Sequence, residues 1–513
     1  MPTRISRRKL LGTGTAALVL PACSTTAQSR KAGSAPAERH APVELPFERR
    51  VRPPEGFPVL RAAFEPLNVI VVMLDSFRAD HLGALGGQKA KTPHLDRFAA
   101  DATLFTRSYP EGLPTIPART SLMTGRFTYP FRGWQALYPE DGPLLQEILW
   151  SNGFTSCLVS DTYHMHKPGY GFGRGFDDVH WIRGQEGDPF VRDPRVEVDV
   201  EPFFKPRTGA PGESAQTRQY LRNRHHWKTE DDQFAPRVFA KAADWLRRQK
   251  KRDSLFLWVD SFSPHEPWDP PDRYLKMYAP NYQGKRLVLP VPGDMEGYLD
   301  AAEQKNLAAC YAAVVTFIDA CVGRLLDELK RLDLYDRSLI LIMTDHGEPF
   351  GEHGIVRKVR PWPYEELAHT WLIARYPGGK GVKKVESYIQ QTDMTATILE
   401  YAGIRTPERM TSESLLPLIL GRKDKIRDAA VCCHHTGGWS IRSDDWSYHY
   451  YLPGIARTAK NSKLSKSGPE LYNLRADPGE RNNLAQGEPD RARAMDQMLF
   501  DFTRRLKDHA KAT

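Results

Sequence analysis

Two runs of apolar, β-branched residues predict an α/β fold built on a parallel sheet: Asn68-Val-Ile-Val-Val-Met-Leu74 and Ser338-Leu-Ile-Leu-Ile-Met-Thr344. Neither alternates with polar residues, so each reads as a strand buried on both faces. The third observation is the alternation of such runs with helical patterns along the chain. After the first strand, Thr92–Ala102 reads as an amphipathic helix with Pro93 in its first turn. Residues 116–124 and 144–150 read as two short helices, and 155–160 as a strand. Residues 235–250 read as a helix and 254–259 as a strand. The longest helix is expected over 304–332, feeding the strand at 338–344. Residues 425–485 look like a smaller module of short strands, and 488–510 a final amphipathic helix. No internal repeat is present.

The bulk numbers suit a sizeable core: 513 residues, 40% hydrophobic and 10% aromatic. The net charge is +9, and Arg4, Arg7, Arg8 and Lys9 supply part of it at the very start. Basic residues form no blocks, and no helix-turn-helix, RNA-recognition or zinc-finger spacing occurs, which excludes nucleic acid as the expected partner. The mild positive charge favours anionic substrates. Ser6-Arg-Arg-Lys-Leu-Leu11 resembles a twin-arginine export signal. The apolar stretch after it, 16–20, is too short to span a bilayer. Leu20-Pro-Ala-Cys23 resembles a lipobox that would place a lipid on Cys23, although Pro21 is unusual there and cleavage near Ala27 is the alternative. The expectation is an exported protein of the periplasm or cell envelope, handled by the export machinery and touching a membrane only through a lipid on Cys23.

The resulting division is 1–27 export signal, 28–65 tether, 66–424 catalytic domain with a polar surface insertion at 165–232, and 425–513 a C-terminal subdomain with the final helix. Of six cysteines, Cys157, Cys310, Cys321, Cys432 and Cys433 remain beyond Cys23. Cys310 and Cys321 fall roughly 16 Å apart on one helix and cannot pair. With no CxxC there is no sign of a disulfide framework or a cysteine zinc site.

The chemistry gathers at strand ends. Asp75 follows the first strand, and Asp345-His346 follows the strand at 338–344. Ligands of open α/β sheets collect beyond the carboxyl ends of strands, so acids from two such ends can converge on one cation. An aspartate there is also a common cap or turn residue, which is the plainer reading of each one alone. The run Leu113-Pro-Thr-Ile-Pro-Ala-Arg-Thr-Ser-Leu-Met-Thr-Gly-Arg126 tips the balance. It resembles the sulfatase signature, in which a Cys or Ser precedes x-Pro-x-Arg and, five residues on, Thr-Gly-Arg. Four other segments resemble the same family in the same order. They are Asn68–Asp80 with Leu82-Gly83, Thr92–Ala99, Asp345–Glu348 with Gly351–Gly354, Lys358 and Tyr364–Glu366, and Glu470–Leu474 with Asp477-Pro478, Glu480 and Asn483-Leu484.

The resemblance implies an alkaline-phosphatase-type α/β fold: a large mixed, mostly parallel sheet flanked by helices, with a smaller C-terminal α+β subdomain. It also implies hydrolysis of an anionic ester, either a small molecule or a glycan. Thr115 stands where the family has the Cys or Ser that is oxidised to formylglycine. Oxidising a secondary alcohol yields a ketone, so no formylglycine is expected, and the hydroxyl itself becomes the candidate nucleophile, as in the threonine-using relatives. The implied metal set is Asp75, Thr115, Asp345 and His346. Asp75 is followed by Ser76, and Asp345 by His346, where many sulfatases have paired Asp and Asp-Asn. One divalent ion is expected, and an imidazole among carboxylates favours Mn²⁺, Zn²⁺ or Fe²⁺ over Ca²⁺. These departures resemble phosphonate monoester hydrolases and phosphoethanolamine transferases more than arylsulfatases. The transferases carry several transmembrane helices, so hydrolysis is the preferred reaction.

Thr115 starts a predicted helix whose free N–H groups can hold an anionic oxygen, though a plain N-cap is the competing reading. Arg119, one turn on, can reach the nucleophile or a nonbridging oxygen. Ser263-Pro-His-Glu-Pro267 resembles the family's Pro-His loop, making His265 a candidate to protonate the leaving group or hold the transferred group. Lys358 is a candidate to neutralise an oxyanion, and His164, with Tyr163, to line the pocket. A second metal on Asp260 and His265 lacks the usual spacing. His353 and His369 read as structural. A second functional reading is a catalytically silent binder of sulfated or phosphorylated glycans, motivated by the missing oxidisable residue.

Overall fold

The computed structural model describes residues 67–208, 214–358, 362–453 and 468–513. The export motif, Cys23 and the tether lie outside the described residues. In chain order the strands are β1 (Asn68–Leu74), β2 (Thr103–Tyr109), β3 (Gly112–Leu113), β4 (Thr155–Ser160), β5 (Asp178–Trp181), β6 (Leu255–Ser261), β7 (Gly293–Asp294) and β8 (Ser338–Thr344). They continue with β9 (Ile355–Val356), β10 (Thr370–Arg375), β11 (Lys384–Val385), β12 (Ile389–Gln390), β13 (Ala429–His434), β14 (Gly438–Ser443), β15 (Trp446–Tyr451) and β16 (Glu470–Asn473).

The main sheet runs β11-β2-β10-β8-β1-β6-β4-β5, with β12 also paired to β2. At its centre β1 is parallel to both β6 and β8, and every residue of β1 and β8 is buried. That double burial is why the two strands read as unbroken apolar runs. Successive side chains point to opposite faces. Ile70, Val72 and Leu74 join one apolar layer, and Val69, Val71 and Met73 the other. The helix Ala301–Arg331 lies in the first layer, packed against Phe234–Arg248. Among the described residues it alone is long and apolar enough to cross a membrane by length and composition; 89% of that window is buried inside the domain, which makes it a core helix.

The sheet is mixed because β10 runs antiparallel to both β8 and β2. The sequence reading had no strand at β2 or β10. Thr103-Leu-Phe-Thr-Arg-Ser-Tyr109 carries an arginine and four hydroxyls, and its identity as a strand comes from its three partners β10, β11 and β12. The expected surface insertion at 165–232 is also more integrated than its composition suggests. Its residues 178–181 add the edge strand β5, parallel to β4. Its helix Ser214–Asn223 contributes Tyr220 and Leu221 to a small core with Phe234, Val288 and Leu289.

The second sheet runs β16-β15-β14-β13-β3 and is backed by the helix Pro489–Ala512, through Val431, Ile441, Leu471, Met495 and Leu499. Its last member comes from the other half of the chain. β3 pairs in parallel with β13, matching Cys433 to Gly112 and His434 to Leu113. This stitch fixes the segment that leads into Thr115. Cys157, Cys310, Cys321, Cys432 and Cys433 are all buried and unpaired.

Candidate active site

Three adjacent parallel strands bring three carboxylates to one end of the main sheet. Asp75 follows β1, Asp345 follows β8, and Asp260 lies in β6, level with Met73 of β1. The guanidinium of Arg119 sits among them. Its Nη2 is 3.1 Å from Asp75 Oδ2 and 2.9 Å from Asp260 Oδ1, its Nε is 3.2 Å from Asp260 Oδ2, and its Nη1 pairs with Asp345 Oδ2. All four side chains have no solvent exposure. Three buried carboxylates around one guanidinium give the site more acid than base, an excess that protonation of one acid or a further cation can offset.

His346 completes the group. Its Nδ1–H donates to the carbonyl of Gly347 at 3.0 Å, so Nε2 keeps its lone pair. Nε2 lies 3.2 Å from Asp345 Oδ2, 3.9 Å from Asp75 Oδ1 and 3.3 Å from Thr115 Oγ1. The ligand atoms of Asp75, Asp345 and His346 fall within 4.8 Å of one another. Two carboxylates, one imidazole with a free lone pair and a neighbouring hydroxyl form a mixed oxygen–nitrogen donor set that fits one divalent ion.

The backbone around these donors is committed to them. Ser76, at φ 63°, gives its N–H to Asp345 Oδ1 at 2.9 Å and its hydroxyl to Asp75 Oδ1 at 2.8 Å. A non-glycine residue in that conformation is uncommon and is held here by both bonds. The N–H of His346 donates to Asp345 Oδ1 at 2.8 Å. Burial and the adjacent Asp345 raise the Asp75 pKa well above the carboxylate range. Burial also opposes ionisation of Asp345, but Arg119 and then His346 outweigh it and bring its pKa down to about 2. Burial lowers His346 to about 4, so the ring is neutral at neutral pH, the form in which an imidazole can bind a metal.

Thr115 is the first residue of the fully buried helix Thr115–Thr124. Pro114 occupies the N-cap position, and no side chain caps the helix. The Thr115 hydroxyl is therefore not spent on capping and faces His346 instead.

The remaining sequence-singled residues form an outer ring held by acids. Lys358 Nζ bonds Glu348 Oε2 and lies 3.4 Å from Glu266 Oε2; its charge also acts on Asp75. Burial, offset in part by Lys358, raises Glu348 to about 8. His265 donates from Nδ1 to the carbonyl of Glu266 at 2.7 Å and stacks on Phe262 at 3.9 Å. Burial pushes its pKa to about 3, so the ring is neutral. His164 Nε2 is 3.0 Å from Glu186 Oε2, and Tyr163 stacks on Trp181. Glu186, His265 and Glu266 also lie within 4.8 Å of one another, but Arg357 pairs with both acids, leaving that trio already balanced by cations. Asp260 and His265 do not meet as a pair: Asp260 bonds Arg119, Thr162 and Trp258. His353 bonds Glu366 and the carbonyl of Glu480, and His369 the carbonyl of Thr106.

The sequence reading missed the role of Asp260 beside Arg119, and missed Glu186, Glu348 and Arg357. Asp260 was legible in principle, since it closes a buried strand as Asp75 and Asp345 do. Glu186 lies in the insertion and carried no signal. A cavity of about 700 Å³ opens elsewhere, lined by Arg78, Asp80, Arg107, Tyr109, Glu352 and Tyr388 among others. Arg78 is paired with Asp80 and Glu352, and Arg107 with Asp445, so it reads as a satisfied seam.

Comparison with known proteins gives the chain its family. The Sulfatase family model matches residues 67–404, and the model for the C-terminal part of N-sulphoglucosamine sulphohydrolase matches 351–510. An arylsulfatase of Clostridium perfringens is 25% identical over 454 residues, covering 82% of this chain and 90% of the relative. The fold is shared with the phosphonate monoester hydrolase of Agrobacterium radiobacter, at TM-score 0.66 and 20% identity over 86% of this chain and 96% of that one. It is shared too with BT4656 in complex with its substrate D-glucosamine-2-N,6-O-disulfate, at TM-score 0.63 and 18% identity, covering 86% and 98%. A signature, a fold and a carboxylate–imidazole centre thus coincide, and the chain belongs to the sulfatase family as a sulfatase-like ester hydrolase.

Proposed function

We propose that this protein hydrolyses an anionic ester through a covalent Thr115 intermediate. The observation that carries the reading is the Thr115 hydroxyl, 3.3 Å from the same His346 Nε2 that meets Asp345 and Asp75. Asp75, Asp345, His346 and Thr115 would hold one divalent ion, with Mn²⁺, Zn²⁺ or Fe²⁺ favoured over Ca²⁺, and a bound ion of this kind lowers the pKa of an adjacent hydroxyl. Thr115 Oγ would attack the phosphorus or sulfur as its proton passes to solvent, and the bond to the leaving oxygen breaks as that oxygen takes a proton from water. Water attacks the same centre in the second step, releasing the acid and restoring the hydroxyl. Arg119 fixes the three carboxylates, Lys358 supplies positive charge from the side of Glu348, and His265 and His164 are the further rings assigned to hold the substrate.

The chemistry of threonine supports phosphate or phosphonate esters as the substrates. A formylglycine ester can collapse by elimination from its geminal hydroxyl, whereas a threonine ester must be opened at phosphorus or sulfur. Sulfate esters, including sulfated glycans, are the alternative that the arylsulfatase relatives support. The test is a panel of nitrophenyl phosphate, phosphodiester, phosphonate and sulfate, with and without Mn²⁺, Zn²⁺ and Ca²⁺. Turnover of none of them with any metal, alongside binding of a sulfated or phosphorylated glycan, would replace the enzyme with a silent binder. The Ser6–Leu11 motif supports export to the periplasm or cell envelope, which fractionation of an Arg7→Lys/Arg8→Lys variant tests.

A further inference from the structure

His434 is the last residue of β13, and the parallel pairing of β13 with β3 sets it opposite Leu113, two residues before Thr115. The N–H of His435 donates to the carbonyl of Leu113 at 3.2 Å, fixing the same junction. His434 is 5% exposed. The backbone N–H of Thr436 donates to His434 Nδ1 at 3.2 Å and the Thr436 hydroxyl lies 2.8 Å from the same atom; the N–H aimed at Nδ1 makes it the lone-pair nitrogen, and the neutral ring carries its proton on Nε2. That Nε2 is buried and has no hydrogen-bond partner among the described residues. Burial, His435 and His346 all act to keep the ring uncharged.

A buried N–H without an acceptor is costly, and a bound oxygen would recover that cost. Aromatic rings continue outward from His434. His434 stacks on His435 at 4.8 Å, His435 meets Trp134 at 6.1 Å, and Trp134 meets His164 edge-on at 5.1 Å. His164 in turn meets Phe262, on which His265 stacks. An arc of rings therefore runs from the nucleophile segment to the outer ring of the site, with Trp134 partly open to solvent. Aromatic faces with a single fixed donor suit a sugar ring, whose C–H face packs on an indole while its oxygens accept hydrogen bonds.

We propose that His434 is a specificity-determining residue: its Nε2–H binds an oxygen of the leaving group, which is a sugar alcohol seated against Trp134. This rests on the ester-hydrolase reading and names the substrate class of that site.

The test compares a monosaccharide ester with a nitrophenyl ester of the same acid, glucose 6-phosphate against nitrophenyl phosphate and glucose 6-sulfate against nitrophenyl sulfate, in the metal-loaded protein. His434→Ala is expected to lower kcat/KM about tenfold on the sugar ester and to leave the nitrophenyl ester within about twofold. His434→Gln, which keeps an N–H near the Nε2 position, restores most of the loss. Equal losses on both esters, or no loss on either, overturn the proposal. Calorimetric binding of the sugar ester to Thr115→Ala, with and without His434→Ala, separates the two readings. Binding that depends on His434 in a protein that turns over no ester sinks the hydrolase reading and keeps the recognition role. Turnover with binding that ignores His434 does the reverse, and absence of both binding and turnover sinks both.

Discussion

Two of the places where the molecule buries charge treat it differently. At the carboxyl end of the main sheet, Asp75, Asp260 and Asp345 surround the single guanidinium of Arg119, and His346 is neutral. In the C-terminal sheet, Arg442 reaches Glu365 at 2.9 Å and Glu480 at 3.9 Å, and Glu480 is 2.8 Å from His449 Nε2. There the acids and bases match in number. Glu470 beside them is held by the hydroxyls of Tyr364, Tyr451 and Tyr472, at 2.6, 3.1 and 3.0 Å. A balanced buried cluster closes on itself and fixes a fold. An unbalanced one can take up charge from outside, and the excess of acids over bases here suits a divalent cation that displaces the Asp75 proton.

The sharpest way to break this contrast is at the proposed nucleophile, Thr115. Thr115→Ala is expected to reduce turnover of the best ester by on the order of 10³-fold or more, with little change in thermal unfolding, because the hydroxyl takes no part in capping its helix. Full activity in that variant would end the nucleophile assignment.

Next, breaking the balanced cluster should cost stability and spare metal binding. Burial alone would raise Glu480, but His449 and Arg442 bring its pKa down to about 2 from an ordinary 4.5. A depressed carboxylate stabilises the fold above its unfolded value and loses that contribution as pH falls through the folded one. Glu480→Gln should therefore cost about 3 kcal/mol near pH 7. The gap to wild type should close between pH 4.5 and about 2, as read by denaturant unfolding across pH.

Asp75→Asn reverses the pattern. Metal-free stability should stay within about 1 kcal/mol of wild type, because burial and Asp345 already hold that carboxyl well above its usual pKa. The stabilisation of about 3 kcal/mol that wild type gains at a hundredfold excess of Mn²⁺ or Zn²⁺ over Kd should disappear. Thermal melts with and without metal read both quantities. Metal affinity in wild type should rise with pH, since Asp75 must lose its proton to bind. The smallest effect is expected for Tyr472→Phe, about 1 kcal/mol from one lost hydroxyl to Glu470, with kcat unchanged.

The central strands were legible because double burial writes itself as uninterrupted apolar sequence, and β1, β4 and β8 fall on the runs read there. The helix Thr115–Thr124 and the long core helix were equally plain. β2 and β10 were not, because their partners, more than their own side chains, make them strands. In the site, the four donors Asp75, Thr115, Asp345 and His346 were readable from strand ends and a signature, and they do gather. Glu186 and Arg357 were not, since each matters only through a cross-chain pairing. His434 was hidden for the same reason, as its place depends on one two-residue strand pairing.

Sequence alone determined the residue types at the centre and the strands that carry them, because a buried parallel strand and the donors at its end are local features. Tertiary structure decided the charge count around Arg119, the tautomers of His346 and His434, and the joining of the C-terminal sheet to the Thr115 segment. Those depend on which groups from distant parts of the chain share one water-free volume, where a single unpaired proton or charge costs as much as a large part of the fold's net stability.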